Sequence, residues 1–224
     1  MVSEIETIYN EGHANYSTRR FENAANSFKY LTSAAVANEE FEDTIYFFYR
    51  EILAWKMTEH EDKLVDAWAR LAMFSLKNTA RVAIETANKV KDPEKRIPIL
   101  QIAIDSLKIF GKQKDIEKAQ NLLLKDLLLI ARQVDLEFTD RILKYEKAIK
   151  VAIALKDKAK QIQIYEEFGD LYIGQAELKL NDPNFASEEV ALKYFTTALE
   201  YFTQANNQKK IRQTKKRIQE IQQN

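Results

Sequence analysis

His13 and His60 are the side chains of this sequence best suited to proton transfer or metal ligation near neutral pH. Nucleophilic catalysis would need a Ser, a Cys or a second His placed with one of them, and the sequence supplies no such set. His13 is therefore read as lining a groove or facing solvent. His60 sits in "TEHEDK", where the carboxylates could hold a cation. An acidic helix start explains the same run, because negative charge is favoured at helix N-termini. The four glycines, Gly12, Gly111, Gly169 and Gly174, lie too far apart for a phosphate-cradling loop. With no Cys there is no disulfide, no thiolate metal site and no cysteine nucleophile. We expect no catalytic residue, no metal, no cofactor and no small-molecule substrate, and so no enzyme.

A second constellation is electrostatic. Lys209, Lys210, Arg212, Lys215, Lys216 and Arg217 fall within nine residues. From Asn206 onward they face the single acid Glu220, a local charge of +5 in a chain whose 34 basic and 34 acidic residues cancel. Ile211, Ile218 and Ile221 form a narrow apolar stripe along the same segment. Two readings stand. The segment 206–224 is a basic capping helix whose apolar edge seals the last hairpin, or it is a docking face for an acidic surface. Without interleaved aromatics, nucleic acid is not expected as a partner.

The elements that must carry these residues are helical. Four Gly and three Pro in 224 residues leave little punctuation for sheets or long loops. Frequent Ala, Leu, Glu, Lys and Gln at helical spacing agrees. The pattern predicts about 11 helices, near 3–17, 20–37, 41–57, 61–76, 79–91, 96–110, 113–133, 136–155, 158–180, 187–205 and 208–222. Pro98 predicts an irregular turn before the sixth, Gly111 a left-handed C-cap after it, and "NDPNFAS" a loop over 181–187. In "TIYFFYREILAW", Ile45, Phe48, Tyr49, Ile52 and Trp55 share one stripe. Asp43, Arg50 and Glu51 lie opposite, with Phe47 and Ala54 among them. A helix apolar over most of its circumference has neighbours on more than one side, so Phe47 packs under an adjacent helix or lines a partner groove. No stretch is long and apolar enough to span a membrane, and the acidic N-terminus lacks a signal-peptide run. Any membrane contact would be peripheral, and a cytoplasmic location is expected.

The segments "SLKIFGKQKD", "AIKVAIALKD" and "ALEYFTQANN" begin 42 and 50 residues apart, a recurrence of two-helix units. The run "IYNEGHANYSTRRFENAANSFKYL" places Ile8, Gly12, Phe21, Ala24, Phe28 and Leu31 as in a tetratricopeptide repeat (TPR) hairpin, which it resembles. Gly12 and Ala24 would let two helices approach closely, with Phe21 and Phe28 filling the wedge. A second copy is expected with Tyr165, Gly169 and Tyr172 on one helix and Ala191, Phe195 and Ala198 on the next. The long hairpins of "SLKIFGKQKDIEKAQNLLLKDLLLIA" and "ALEYFTQANNQKKIRQTKKRIQEI" are also similar to the SNAP family, adaptors that couple SNARE bundles to a disassembling ATPase. "STRRF" lacks that family's apolar membrane-touching loop, and "IQEIQQN" lacks its acidic, leucine-ended tail. What carries over is architecture.

The TPR resemblance implies that Tyr9, His13, Tyr16 and Ser17 in the first hairpin, and Glu166, Asp170 and Ile173 in the last, face a binding groove. Where TPR clamps for acidic C-terminal peptides carry Lys and Asn, this chain has Tyr9 and His13, so no such clamp is expected. The reading is a single all-α solenoid over 1–224, a stack of antiparallel hairpins. It would act as a non-enzymatic adaptor for another protein's helical or coiled-coil segment or acidic surface. Its partner-binding residues would be Tyr9, His13, Tyr16, Phe47, Glu166, Asp170, Lys209, Lys210, Lys216 and Arg217. A SNAP-like role in membrane trafficking is the narrower form. The alternative is a regulatory module controlling a transcription factor or signalling enzyme through the basic C-terminal face.

Overall fold

The computed structural model describes residues 4–181 and 187–223. Among them are ten α-helices and no strand: α1 (Glu4–Ser17), α2 (Phe21–Ala37), α3 (Phe41–Lys56), α4 (Glu61–Lys89), α5 (Pro93–Phe110), α6 (Gln113–Ala131), α7 (Phe138–Ala154), α8 (Lys158–Leu180), α9 (Glu188–Gln204) and α10 (Gln208–Gln222). Each helix packs on the next from α1 to α3 and again from α5 to α10, so the chain is an all-α stack of antiparallel hairpins. The predicted loop "NDPNFAS" falls largely outside the described residues.

Four of the connections share one geometry. Arg19, Glu39, Lys156 and Asn206 adopt left-handed φ of 60°, 60°, 56° and 55°. The amide of the next residue then donates to the carbonyl five back: Arg20 to Asn15 (2.8 Å), Glu40 to Ala35 (3.0 Å), Asp157 to Ala152 (3.2 Å) and Asn207 to Phe202 (3.0 Å). This Schellman closure satisfies orphan carbonyls and leaves one residue to start the next helix. The turn is short enough to force an antiparallel return without a glycine.

The structure corrects three local expectations. The helices predicted at 61–76 and 79–91 are one, α4. Across the predicted break, Asn78 and Thr79 donate to the carbonyls of Phe74 (3.0 Å) and Ser75 (2.9 Å), four residues back in the same helix. No irregular turn surrounds Pro98: α5 begins at Pro93, capped by the Asp92 carboxylate accepting from the Glu94 amide at 2.9 Å, and runs through Pro98 to Phe110. Gly111 is extended, with φ −75° and ψ 159°, rather than left-handed. Lys112 is extended too, so the chain enters α6 by a straight two-residue link.

The residues form two compact units, Met1–Thr79 and Ala80–Asn224. In the first, Ala24, Ala25, Phe28, Leu31, Ile52, Ala54, Trp55 and Ala67 make the core, with Ile8, Tyr16 and Phe47 packed against it. Gly12 faces Phe28, and a Cβ there would sit 3.2 Å from the ring. In the second, Leu100, Ile104, Leu123, Leu124, Leu127, Tyr145, Ile164 and Phe168 belong to one buried cluster. Ala176, Ala191, Phe195 and Ile221 belong to another near the C-terminal hairpin. Gly169 repeats the device of Gly12 more tightly: a Cβ there would meet the Phe202 ring at 2.4 Å. Close approach at Gly12 under Phe28 is what the match to a TPR hairpin implies; at Gly169 the covering ring is Phe202 rather than the Phe195 named for that copy.

Candidate partner-binding surfaces

Polar side chains connect α1 to α3, α2 to α4, α6 to α8 and α8 to α10, and their sequence offsets reveal the repeat. His13 meets Tyr46 and Arg50, at offsets of 33 and 37. Glu22 meets Lys63 at 41, Asn121 meets Lys160 at 39 and Arg132 meets Glu167 at 35. Glu166, Asp170 and Glu177 meet Asn207, Lys210 and Arg217 at 41, 40 and 40. A hairpin period near 40 is thus present in the contacts themselves. It sets α1 beside α3 and α8 beside α10.

In the first unit, α1 and α3 bring Tyr9, His13, Tyr16 and Phe47 together. Arg50 and Tyr46 join them. The Tyr9 ring lies 4.5 Å from His13 and 6.2 Å, edge-on, from Phe47. His13 stands edge-on to Phe28 at 5.3 Å. The Arg50 guanidinium covers the Tyr16 ring at 4.9 Å and the Phe28 ring at 5.3 Å, a cation–π arrangement. Phe47 is half-buried, so it packs under α1 and still contributes an edge to the surface. Tyr9 and Tyr46 remain 36% and 40% exposed.

Hydrogen bonding fixes the state of His13. An Arg50 Nη2–H lies 3.2 Å from His13 Nδ1, and guanidinium can only donate. Nδ1 therefore accepts, the proton sits on Nε2, and Nε2–H donates to the Tyr46 hydroxyl at 3.3 Å. Burial, and then the neighbouring Arg50 charge, hold the His13 pKa below its ordinary value. Burial first, and then Tyr9, push the Tyr46 hydroxyl up.

In the second unit, α8 and α10 bring Glu166, Asp170, Lys210 and Arg217 together. Lys210 Nζ donates to both Asp170 oxygens at 2.8 and 2.6 Å. Arg217 donates to both Glu177 oxygens at 2.9 and 3.0 Å. Asn207 Nδ2 donates to Glu166 at 2.9 Å. Lys216 lies 3.6 Å from Glu220 of its own helix. Lys209, with Arg212 and Lys215, is exposed and has no ion-pair partner among the described residues. Lys210 and Arg217 thus hold α10 on α8, with Ile221 and Thr214 buried beneath. Aromatic rings here stack on one another: Tyr201 lies 4.3 Å from Phe168 and 5.8 Å from Tyr172. Burial, aided by Tyr172 and Glu146, pushes the Tyr201 hydroxyl up to about 12.

Sequence reasoning misses Arg50, Tyr46 and the buried ion pairs. The helical wheel puts Arg50 and Glu51 on the solvent side of α3. Instead Glu51 is fully buried, bound by Arg70 and by the Trp55 indole N–H at 3.2 Å. Asp126 is likewise buried, held by Arg96 through bonds of 2.6 and 2.5 Å. The signal was Phe47 and Ala54 among the polar positions of the wheel. Apolar residues flanking Arg50 and Glu51 mean that this face, too, has a neighbour.

His60 does not form a cation site. It lies 3.7 Å from Glu22 and edge-on to Trp55, and among the described residues no group of three His, Asp or Glu side chains is placed to hold a metal ion. Nor is any helix among them long and apolar enough to cross a membrane. The sequence matches no family model and no curated protein. Among solved structures it is similar to BtubC (BKLC) from P. vanneervenii, at 13% identity, over 98% of this chain and 89% of that one, with a TM-score of 0.25.

Proposed function

We propose that the protein is a non-enzymatic helical-repeat adaptor, acting in the cytoplasm, that binds another protein along the first helices of its hairpins. One observation carries the reading. On α1 and α3, Tyr9, His13, Tyr46 and Phe47 form a continuous aromatic surface that is anchored from beneath yet left open. Aromatic side chains with a polar handle supply contact area at low entropic cost, which suits them to recognition. The resemblance to TPR hairpins supports the choice of face, since Gly12 and Phe28 set the approach of α1 to α2. A SNAP-like adaptor for coiled-coil bundles is the narrower version. Cross-linking from the native cell, compared between the wild type and Tyr9→Ala or Phe47→Ala, tests the reading. A specific protein partner should be lost in both variants, and a partner retained in both removes this face from consideration. Binding to an assembled four-helix SNARE-type bundle tests the narrower version, and its absence there ends it.

A second reading rests on Lys209, Arg212 and Lys215, the cations that α8 does not neutralise. They would dock an acidic surface of a transcription factor or signalling enzyme. Such binding should weaken steeply with salt and disappear when these three are changed to Gln. Salt-insensitive binding excludes it.

A further inference from the structure

Arg50 differs from four other arginines that reach between helices. Arg70, Arg96, Arg132 and Arg217 each meet a carboxylate on another helix: Glu51, Asp126, Glu167 and Glu177. Arg50 meets none within 4.0 Å among the described residues. Its Nη2 gives one N–H to His13, and its Nε is buried with no hydrogen-bond partner. Its face is held by the Tyr16 and Phe28 rings. A guanidinium offers five donors, and withdrawing it from water is costly unless they are satisfied. Here the cation is fixed and partly desolvated, and no acid in the described residues completes it.

The surroundings restrict what could complete it. Helices α1 and α3 carry Glu4, Glu6, Glu11, Glu42, Asp43 and Glu51 against only Arg50 and Lys56. This acidic setting repels polyanions such as nucleic acid or an anionic lipid surface. It accepts a single carboxylate, provided the rest of the ligand is neutral or basic. Tyr9 and Tyr46 beside it offer apolar area for flanking side chains. We infer that Arg50 anchors one aspartate or glutamate side chain of a partner protein's peptide segment, whose neighbouring residues are apolar and basic rather than acidic. This rests on the adaptor reading and deepens it.

His13 couples to the same event. The groups facing it are Tyr9 on its own helix, Tyr46 and Arg50 on α3, and the apolar Phe28 on α2. A carboxylate arriving at Arg50 offsets the charge that disfavours imidazolium, so binding takes up a proton and tightens as pH falls into the range where His13 titrates.

The test is selection of a displayed 12-residue random peptide library on the full chain, followed by titration of the selected synthetic peptides. Enriched peptides should share one Asp or Glu beside an apolar residue, with Lys or Arg nearby. Changing that acid to its amide should weaken binding about 10- to 100-fold. Arg50→Gln should cost the same factor, and the two changes together little more than either alone. Arg50→Lys should fall between. If Arg50→Gln fails to fold, the acid-to-amide comparison on the wild type decides alone. Peptides that depend on Tyr9 and Phe47 but ignore both the acid and Arg50 overturn the anchor and leave the groove. A selection yielding no peptide dependent on Tyr9 or Phe47 overturns the groove as well.

Discussion

The α1–α3 face and the α8–α10 face are built at nearly the same sequence offset, yet they handle charge in opposite ways. At the C-terminal face, Asp170 and Glu177 take up Lys210 and Arg217, and the rings nearby stack on one another. At the N-terminal face, Arg50 meets rings and a neutral imidazole, and the tyrosines remain open. The first arrangement closes a stack; the second leaves bonding capacity unused. One repeat geometry therefore produces both a seal and an open, unsatisfied face. Which of the two arises depends on whether the facing helix offers a carboxylate.

The largest effect should come from breaking a pair that is truly buried. Arg96→Ala leaves Asp126 without its counter-ion in a fully enclosed position. The expected loss is about 3–5 kcal/mol, read as a drop in the urea midpoint. Asp126→Asn with Arg96→Gln should recover part of it. If Arg96→Ala proves near neutral, the contrast between sealed and open arginines is wrong.

The glycine contacts come next. Gly169→Ala drives a Cβ into the Phe202 ring and should cost about 1–3 kcal/mol, partly restored by Phe202→Leu. Gly12→Ala meets the Phe28 ring at a looser 3.2 Å and should cost less. Gly174→Ala meets nothing within 4 Å in the middle of α8 and should stabilise by roughly 0.5–1 kcal/mol. Thermal melts of the three variants should fall in that order.

Smaller still are the exposed pairs. Lys210→Ala removes a bridge to the half-exposed Asp170 and should change stability by under about 1 kcal/mol. Arg50→Gln strands no carboxylate and should also cost under about 1 kcal/mol, far less than Arg96→Ala. A large loss for Arg50 would reduce it to a structural residue. The smallest effect concerns pH. The folded state holds His13 below its ordinary pKa, so the unfolded chain binds more protons as pH falls through that range. Stability should be fully present above pH 6.5 and decline as pH drops through the lowered value. His13→Gln should flatten that slope in the folded-state melt, and an unchanged slope would remove His13 as its source.

Much of this fold is legible in the order of the residues. Low Gly and Pro, helical spacing and the recurrence of two-helix units lead to stacked hairpins. Gly12 with Phe28, and Gly169 followed by Ala191, Phe195 and Ala198, mark where helices come close. The break expected between 76 and 79 is absent, because the Asn78 and Thr79 side chains, which can favour turns, bond back within the helix. Gly111 misleads because left-handed caps here fall instead on Asn206, a residue type suited to them, and on Arg19, Glu39 and Lys156, whose types do not announce the geometry. Of the N-terminal face, Tyr9, His13 and Tyr16 are named by the resemblance to a TPR hairpin and Phe47 by its place on the helical wheel. Arg50 is named by neither, because its role depends on what α1 sets against it.

What the sequence alone determined is the alphabet of the structure. It set most helix lengths, the close-contact glycines, the hydrophobic stripes and a basic last helix, because these follow from local spacing and side-chain shape. Tertiary structure decided which charges are neutralised. Arg50 and Arg96 are the same side chain on similar helices, and only the residue facing each from another helix makes one a sealed ion pair and leaves the other without a carboxylate.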